Sequence, residues 1–248
     1  LRGLPFAKGM PSLVGYVFVT GLVLFPFGFF SASVKEQGFD SNLPLESMYL
    51  ASLVILLLSF FLLYFYRDPQ RIIESGIVST ADGLIQRAEI KKGMVYFSIF
   101  MNVHNVHVNR SPFDGRIISI KHKSGGYLPA FSKDSDKNER LLTKIETPIG
   151  VMKIIQIAGV LVRRIVSYVK PNSEVAKGER IGLIHFGSRV DLSFESAGID
   201  LSVKKGDKVL AGQRLANYTP LSSLSTSEKI FEVPKRMFSK LQASQSED

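Results

Sequence analysis

Two long stretches without a charged side chain, Pro11 to Ser33 and Ser47 to Tyr66, dominate the first quarter of this 248-residue chain. Each reaches the roughly 20 residues that a helix needs to cross a bilayer. Leu53 to Phe65 is apolar on every face, unlike a surface helix of a soluble domain. The first stretch is too long for the apolar core of a cleaved signal peptide, and no small-x-small site follows it. Gly15, Gly21, Pro26 and Gly28 suit a membrane helix, where neighbouring groups satisfy the backbone around a kink. The pattern predicts a transmembrane helical hairpin over residues 1–66, with a buried hairpin of a soluble protein as the alternative. Arg2 and Lys8 precede the first stretch, and Arg67 and Arg71 follow the second. Positive-inside placement then puts both ends, and everything after Tyr66, on the cytoplasmic side of the cell membrane.

Residues 1–66 hold three basic and three acidic side chains, so the net charge of +9 belongs wholly to the remainder. A basic domain tethered to a bilayer is drawn to anionic headgroups, each well-placed Lys or Arg contributing about 1 kcal/mol. No nucleic-acid-binding motif accompanies the charge, and no nucleic-acid partner is expected. The chain has no cysteine, which excludes disulfide scaffolds, Cys-ligated zinc, iron–sulfur clusters and thiol nucleophiles. Serine, histidine, lysine and carboxylates are left to carry any chemistry.

After Pro69 the sequence turns to short β-type runs punctuated by glycine: Val95 to Phe100, Arg116 to Ile120, Gly150 to Ile157, Val160 to Val169, Glu179 to Phe186 and Arg189 to Phe194. A mainly β domain is expected over residues 67–219, followed by a polar tail over 220–248 with at most a short surface helix at Phe231 to Leu241. Val175-Ala-Lys-Gly-Glu-Arg-Ile181 repeats as Val203-Lys-Lys-Gly-Asp-Lys-Val209, each placing a Lys-Gly-acid turn before a strand as in a barrel-sandwich scaffold. No Met-Lys-Met carrier turn is present, so the likeness is to the scaffold alone. A second repeat matches Ala81-Asp-Gly-Leu-Ile85 with Phe113-Asp-Gly-Arg-Ile-Ile118; Asp-Gly before an apolar pair is ordinarily a turn leading into a strand. Lys121 to Arg140 reads as a long loop with an apolar tip around Tyr127 to Phe131, and long loops of this kind often serve as lids.

Only four histidines occur, and two of them, His104 and His107, stand three apart in Met101-Asn-Val-His-Asn-Val-His-Val-Asn-Arg110. His122 and His185 supply no recognisable third metal ligand, so no metal site is expected. The pair suits acid–base work, since histidine changes charge near neutral pH, although two hydrogen-bonding histidines at a strand end remain an alternative. Gly187-Ser188 is the only Gly-Ser step among 20 glycines, and it follows an apolar strand rather than a flexible linker. Such a step is ordinarily a loop. Glycine also permits a strained carbonyl, and a serine hydroxyl attacking it would convert the amide to an ester. Elimination of that ester and hydrolysis would leave a pyruvoyl carbonyl, able to form a Schiff base with an amine and to act as an electron sink.

Five ordered motifs carry a resemblance: Tyr64-Phe-Tyr-Arg-Asp-Pro-Gln-Arg71, Ala81-Asp82-Gly83, His104-Asn-Val-His107 with Asn109-Arg-Ser-Pro112, Asn138-Glu-Arg140, and Phe186-Gly-Ser-Arg189. From about Phe65 to Tyr218 the chain resembles the phosphatidylserine decarboxylase proenzymes, in particular their short form of bacteria and archaea, where the archaeal lipid is archaetidylserine. Many members read Leu-Gly-Ser-Thr where this chain has Phe-Gly-Ser-Arg, a variant of the short forms. The resemblance implies a self-processing, pyruvoyl-dependent decarboxylase that turns a serine phospholipid into the ethanolamine phospholipid and CO2. Its cofactor would be a pyruvoyl group made from Ser188 by cleavage after Gly187. It further implies that Asp82 orients His107, that His107 takes the Ser188 proton, and that His104 serves the decarboxylation cycle. Asp114 would be bystander to this, since its Asp-Gly turn follows the histidine motif. Implied partners are the membrane, the lipid substrate, the two chains of the cleaved proenzyme held together, and a second copy in a homo-oligomer. A barrel-sandwich zinc peptidase and a non-catalytic membrane-tethered adaptor are the competing classes.

Overall fold

The computed structural model of the chain describes residues 6–36, 45–126, 138–159, 164–185 and 188–219. The expected apolar loop tip at Tyr127 to Phe131, Gly187, and the tail with its expected helix at Phe231 to Leu241 lie outside the described residues. The chain divides into two compact units, Leu1–Pro69 and Gln70–Asp248.

The first unit holds helices α1 (Ser12–Glu36) and α2 (Leu45–Phe65). Phe18 meets Phe60 and Phe25 meets Tyr49, each pair with ring centroids 5.5 Å apart, so the helices run antiparallel. Gly28 permits the contact: a β-carbon there would lie 2.9 Å from the Tyr49 Cα. In the apolar sequence of α2, Ser52 and Ser59 turn back on their own helix. Ser52 donates to the Tyr49 carbonyl at 2.8 Å and Ser59 to the Ile55 carbonyl at 2.7 Å. Among the described residues one helix, Ser12–Phe30, is long and apolar enough to cross a membrane, with a mean hydropathy of 2.1, and the apolar run Tyr49–Phe65 is shorter.

The second unit is mainly β. Its strands are β1 (Ile77–Val78), β2 (Gly83–Lys91), β3 (Met94–Met101), β4 (Val108–Arg110), β5 (Gly115–Lys123), β6 (Arg140–Thr147) and β7 (Gly150–Ile157), then β8 (Ile165–Ser167), β9 (Glu174–Val175), β10 (Arg180–Ile184), β11 (Ser188–Glu195), β12 (Ile199–Leu201), β13 (Lys208–Val209) and β14 (Arg214–Tyr218). Eight form one antiparallel sheet in the order β13-β2-β3-β11-β7-β6-β5-β9, and two smaller sheets run β1-β14-β12 and β4-β10-β8. Alternation sets which face is buried. In β11, Ser188, Val190, Leu192 and Phe194 point inward and Arg189, Asp191 and Ser193 outward. The inward set packs with Phe97, Ile99, Met101, Ile145 and Ile154 in a continuous core.

The Asp-Gly repeat belongs to an internal duplication in which each aspartate meets a glycine turn. Ser79 donates its hydroxyl to the Ala81 carbonyl at 2.7 Å, and Ser111 does the same to Phe113 at 2.8 Å. Asp82 accepts from the Ala211 N–H and Asp114 from the Lys177 N–H, both at 2.8 Å. The two copies cross each other, with Val78 N–H donating to Pro112 and Arg110 N–H to Thr80, at 3.0 and 2.8 Å. The glycine turn occurs a third time, unmarked in the sequence reading, as Val209-Leu-Ala-Gly-Gln-Arg-Leu215. In all three copies the glycine, Gly178, Gly206 or Gly212, has a positive φ that other residues adopt at a cost. The next side chain, Glu179, Asp207 or Gln213, accepts from the N–H three residues earlier.

Candidate active site

Strand register gathers the singled-out residues at one end of the large sheet. Leu84, Phe100 and Arg189 are aligned across β2, β3 and β11, and Ser188 pairs with Met101 at the end of β3. Asp82 immediately precedes β2, so its backbone lies about two strand spacings, roughly 10 Å, from that of Ser188. From Met101 the chain makes a turn closed by the Asn105 N–H to the Asn102 carbonyl at 2.9 Å, and reaches His107 just before β4. The His107 carbonyl accepts from the Ile184 N–H at 3.3 Å, four residues before Ser188.

The two motif histidines differ in burial. His104 is exposed on the turn, whereas His107 is fully buried. The His107 Nδ1 lies 2.9 Å from the Asn105 carbonyl, which can only accept, so in the neutral ring Nδ1 carries the proton and Nε2 holds the lone pair a base requires. Ser188 is fully buried, and its hydroxyl has no hydrogen-bond partner among the described residues. Leaving such a group unpaired costs about 1–3 kcal/mol, so packing alone does not account for a serine at this position. The Thr80 hydroxyl, two residues before Asp82, is buried and unpartnered in the same way.

The two Asp-Gly turns are sharply distinguished. Asp114 is exposed, while Asp82 is buried and its carboxylate accepts from both the Ala211 N–H and the Arg71 guanidinium. Arg71 was legible only as part of a motif and as a charge after the second apolar stretch. Gln156 also escaped the sequence reading. Its Nε2 donates to the Asn109 Oδ1 at 2.7 Å, and Asn109 Nδ2 approaches the Met101 sulfur at 3.6 Å, so a buried amide pair underlies the start of β11. A lone amide among Ile154, Ile155 and Ile157 was the available signal.

His185 is buried at the end of β10, and burial, reinforced by the Arg164 charge, lowers its pKa below the ordinary histidine value. His122 lies 2.9 Å from Glu139. Among the described residues no three histidine, aspartate or glutamate side chains gather as metal ligands would.

At one end of the sheet the structure thus brings together a buried serine whose hydroxyl has no hydrogen-bond partner among the described residues, a buried histidine held through Nδ1, and a buried, cation-held carboxylate. The phosphatidylserine decarboxylase family profile matches residues 58–217. The chain is 48% identical over 161 residues to a Methanococcoides burtonii protein provisionally named an archaetidylserine decarboxylase proenzyme, covering 64% of this chain and 75% of that one. It is 46% identical over 153 residues to the phosphatidylserine decarboxylase proenzyme of Streptomyces avermitilis, 61% of this chain and 71% of the relative. The Streptomyces coelicolor proenzyme of the same name is 47% identical over 153 residues, 61% of this chain and 70% of that one. The chain belongs to the phosphatidylserine decarboxylase family and is an enzyme of the phospholipid decarboxylase class, made as a proenzyme.

Proposed function

We propose that the chain cuts itself between Gly187 and Ser188 and then decarboxylates a serine phospholipid, phosphatidylserine or archaetidylserine, to the ethanolamine phospholipid and CO2. The observation that carries this reading is the fully buried Ser188 hydroxyl without a described partner, at the step where the family relationship expects cleavage. His107 Nε2 takes the Ser188 proton, and the alkoxide attacks the Gly187 carbonyl, exchanging the amide for an ester. Removal of the Ser188 α-proton then expels the Gly187 carboxylate, and water converts the resulting dehydroalanine to a pyruvoyl group with loss of ammonia. The Asn105 carbonyl, bonded to Nδ1, supports the imidazolium that forms on His107, while Asp82, its two oxygens held by Arg71 and the Ala211 N–H, contributes its fixed charge at the same end of the sheet.

Position 188 fits the group, because its precursor hydroxyl is buried, has no hydrogen-bond partner among the described residues and stands at the head of a central strand. The pyruvoyl carbonyl supplies the electron sink for loss of CO2. His104, exposed on its turn, exchanges protons with water and returns one to the substrate carbon. The β chain of residues 1–187 and the α chain of residues 188–248 stay together, since β11 is hydrogen-bonded to β3 on one edge and β7 on the other. The triplicated glycine turns support a barrel-sandwich-like catalytic domain over 67–219. The apolar length of α1 and the many exposed apolar side chains on both helices support a membrane hairpin, with the catalytic domain on the cytoplasmic side of the cell membrane. The test is mass spectrometry of the purified chain, where two fragments meeting at 187/188 are expected and an uncut chain would refute self-processing.

A further inference from the structure

The thrice-used glycine turn is charged in two copies and apolar in one. Before the glycine stand Ala176-Lys177 in the first copy and Lys204-Lys205 in the second, with Glu179 or Asp207 after it. The third copy, whose Ala211 N–H is held by Asp82, has Leu210-Ala211 before the glycine and Gln213 after it. Gln213 closes this turn as the acids close theirs, so the turn itself asks for no apolar residue at position 210. Leu210 is nevertheless 52% exposed. Two further exposed apolar side chains stand beside it. Lys208 on β13 is aligned with Leu84 on β2, and exposure alternates along Lys208, Val209 and Leu210. Leu210 is therefore the diagonal neighbour of the exposed Leu84, roughly 7–8 Å away at the backbone and within side-chain reach. The chain from Ile72 to Glu74 runs along the same turn: a β-carbon on Gly212 would lie 2.7 Å from the Ile72 carbonyl oxygen, and the Glu74 N–H donates to the Gly212 carbonyl at 3.0 Å. Ile72 is 89% exposed.

We infer that Ile72, Leu84 and Leu210 enter the headgroup boundary of an anionic phospholipid bilayer, so that the β unit meets the membrane through its third glycine turn; this deepens the proposed membrane attachment and is independent of the hairpin. Single exposed apolar side chains are ordinary, but three around one turn form a patch. Lys204, Lys205 and Lys208 are exposed on the stretch leading into that turn. The carboxylates there, Asp207 and Glu74, each hold a backbone N–H, of Lys204 and Arg214. Apolar side chains gain by leaving water for the acyl boundary while lysines beside them are drawn to anionic phosphates, the arrangement of an interfacial membrane contact. Lysine is depleted where proteins bind proteins, which favours the lipid surface as the occupant. The family's phospholipid chemistry makes the same demand, and the turn that carries Leu210 is the one that holds Asp82.

The test uses the full chain in vesicles of phosphatidylcholine and phosphatidylglycerol. The chain has no tryptophan, so Leu210→Trp, Ile72→Trp and Ile90→Trp each introduce one fluorophore at an exposed position. Ile90 lies on the same strand as Leu84, about 20 Å further along, and serves as the control. Brominated acyl chains are expected to quench Leu210→Trp and Ile72→Trp from a depth of about 5–10 Å into the headgroup boundary, and to leave Ile90→Trp open to aqueous iodide. Omitting phosphatidylglycerol is expected to lower the ratio of docked to undocked chain about fivefold or more, the scale of one lysine at the surface. Iodide quenching at positions 210 and 72 equal to that at 90, without bromine quenching, would overturn the inference. Shielding from both quenchers would overturn it in favour of cover by another segment of the chain or a second copy. Equal bromine quenching at all three positions would overturn it too, since contact would not be confined to this turn. Flotation of the wild-type chain with vesicles in high salt tests the hairpin separately. A chain that sinks there, yet shows bromine quenching at position 210 in low salt, would refute the hairpin and support the lipid-facing turn.

Discussion

Asp82 and Arg71 form a buried ion pair, their side chains only 4% and 15% exposed. The second Asp82 oxygen is occupied by the Ala211 N–H, so both carboxylate oxygens are held before any chemistry begins. Asp114, its counterpart in the duplicated unit, keeps the backbone bond to Lys177 but stands in solvent. Duplication thus supplied two equivalent turns, and burial with a cation distinguishes one of them.

Asp82→Asn is expected to slow self-cleavage by about 10²-fold or more, the usual scale for loss of acid–base support. Arg71→Ala should slow it too and destabilise the domain by about 3 kcal/mol, since it strands a buried carboxylate. Asp114→Asn should cleave at the wild-type rate. Time courses of cleavage by gel, alongside thermal unfolding, check all three. Arrest of Asp114→Asn with normal cleavage of Asp82→Asn would reverse the assignment.

The histidines should separate maturation from turnover. His107→Ala is expected to accumulate uncut chain, because the buried imidazole is the proposed base for Ser188. His104→Ala should be cut normally and carry the new carbonyl at residue 188, yet form ethanolamine lipid about 10²-fold more slowly. Intact mass and lipid product are measured on the same preparation. Uncut His104→Ala with normally cut His107→Ala would exchange the two roles.

Much of this arrangement was legible in the sequence, and the rest depended on register. The β-type runs Val95 to Phe100 and Arg189 to Phe194 mark β3 and β11, and in β11 the outward side chains Arg189, Asp191 and Ser193 are polar while the inward ones after Ser188 are apolar. The expected strand Val160 to Val169 survives among the described residues only as β8, Ile165–Ser167, with 160–163 undescribed. The two Asp-Gly turns are alike as local patterns, since identical turns are buried or exposed by what packs over them, and only the order of motifs in the family resemblance singles out Asp82. Gln156 and Asn109 stand 47 residues apart in the chain and meet only through sheet order. Arg71 looked like a membrane-flanking charge because its partner lies beyond any local pattern.

His185 should make stability depend on pH. Its folded pKa lies below 6.5, so the unfolded chain binds the additional proton as pH falls through about 6.5. Stability is therefore expected to decline as pH drops below that value, to level off below the folded pKa, and to gain nothing from this group above about 7. His185→Asn should flatten the acid limb of a plot of unfolding midpoint against pH. An unchanged slope would assign the acid sensitivity to other groups.

The most direct test of the account is the intact mass of the purified wild-type chain beside Ser188→Ala. Self-processing predicts two wild-type species, one ending at Gly187 and one beginning with a pyruvoyl group at position 188, and a single uncut Ser188→Ala chain. A wild-type sample containing only uncut chain, with no carbonyl at residue 188, would contradict it.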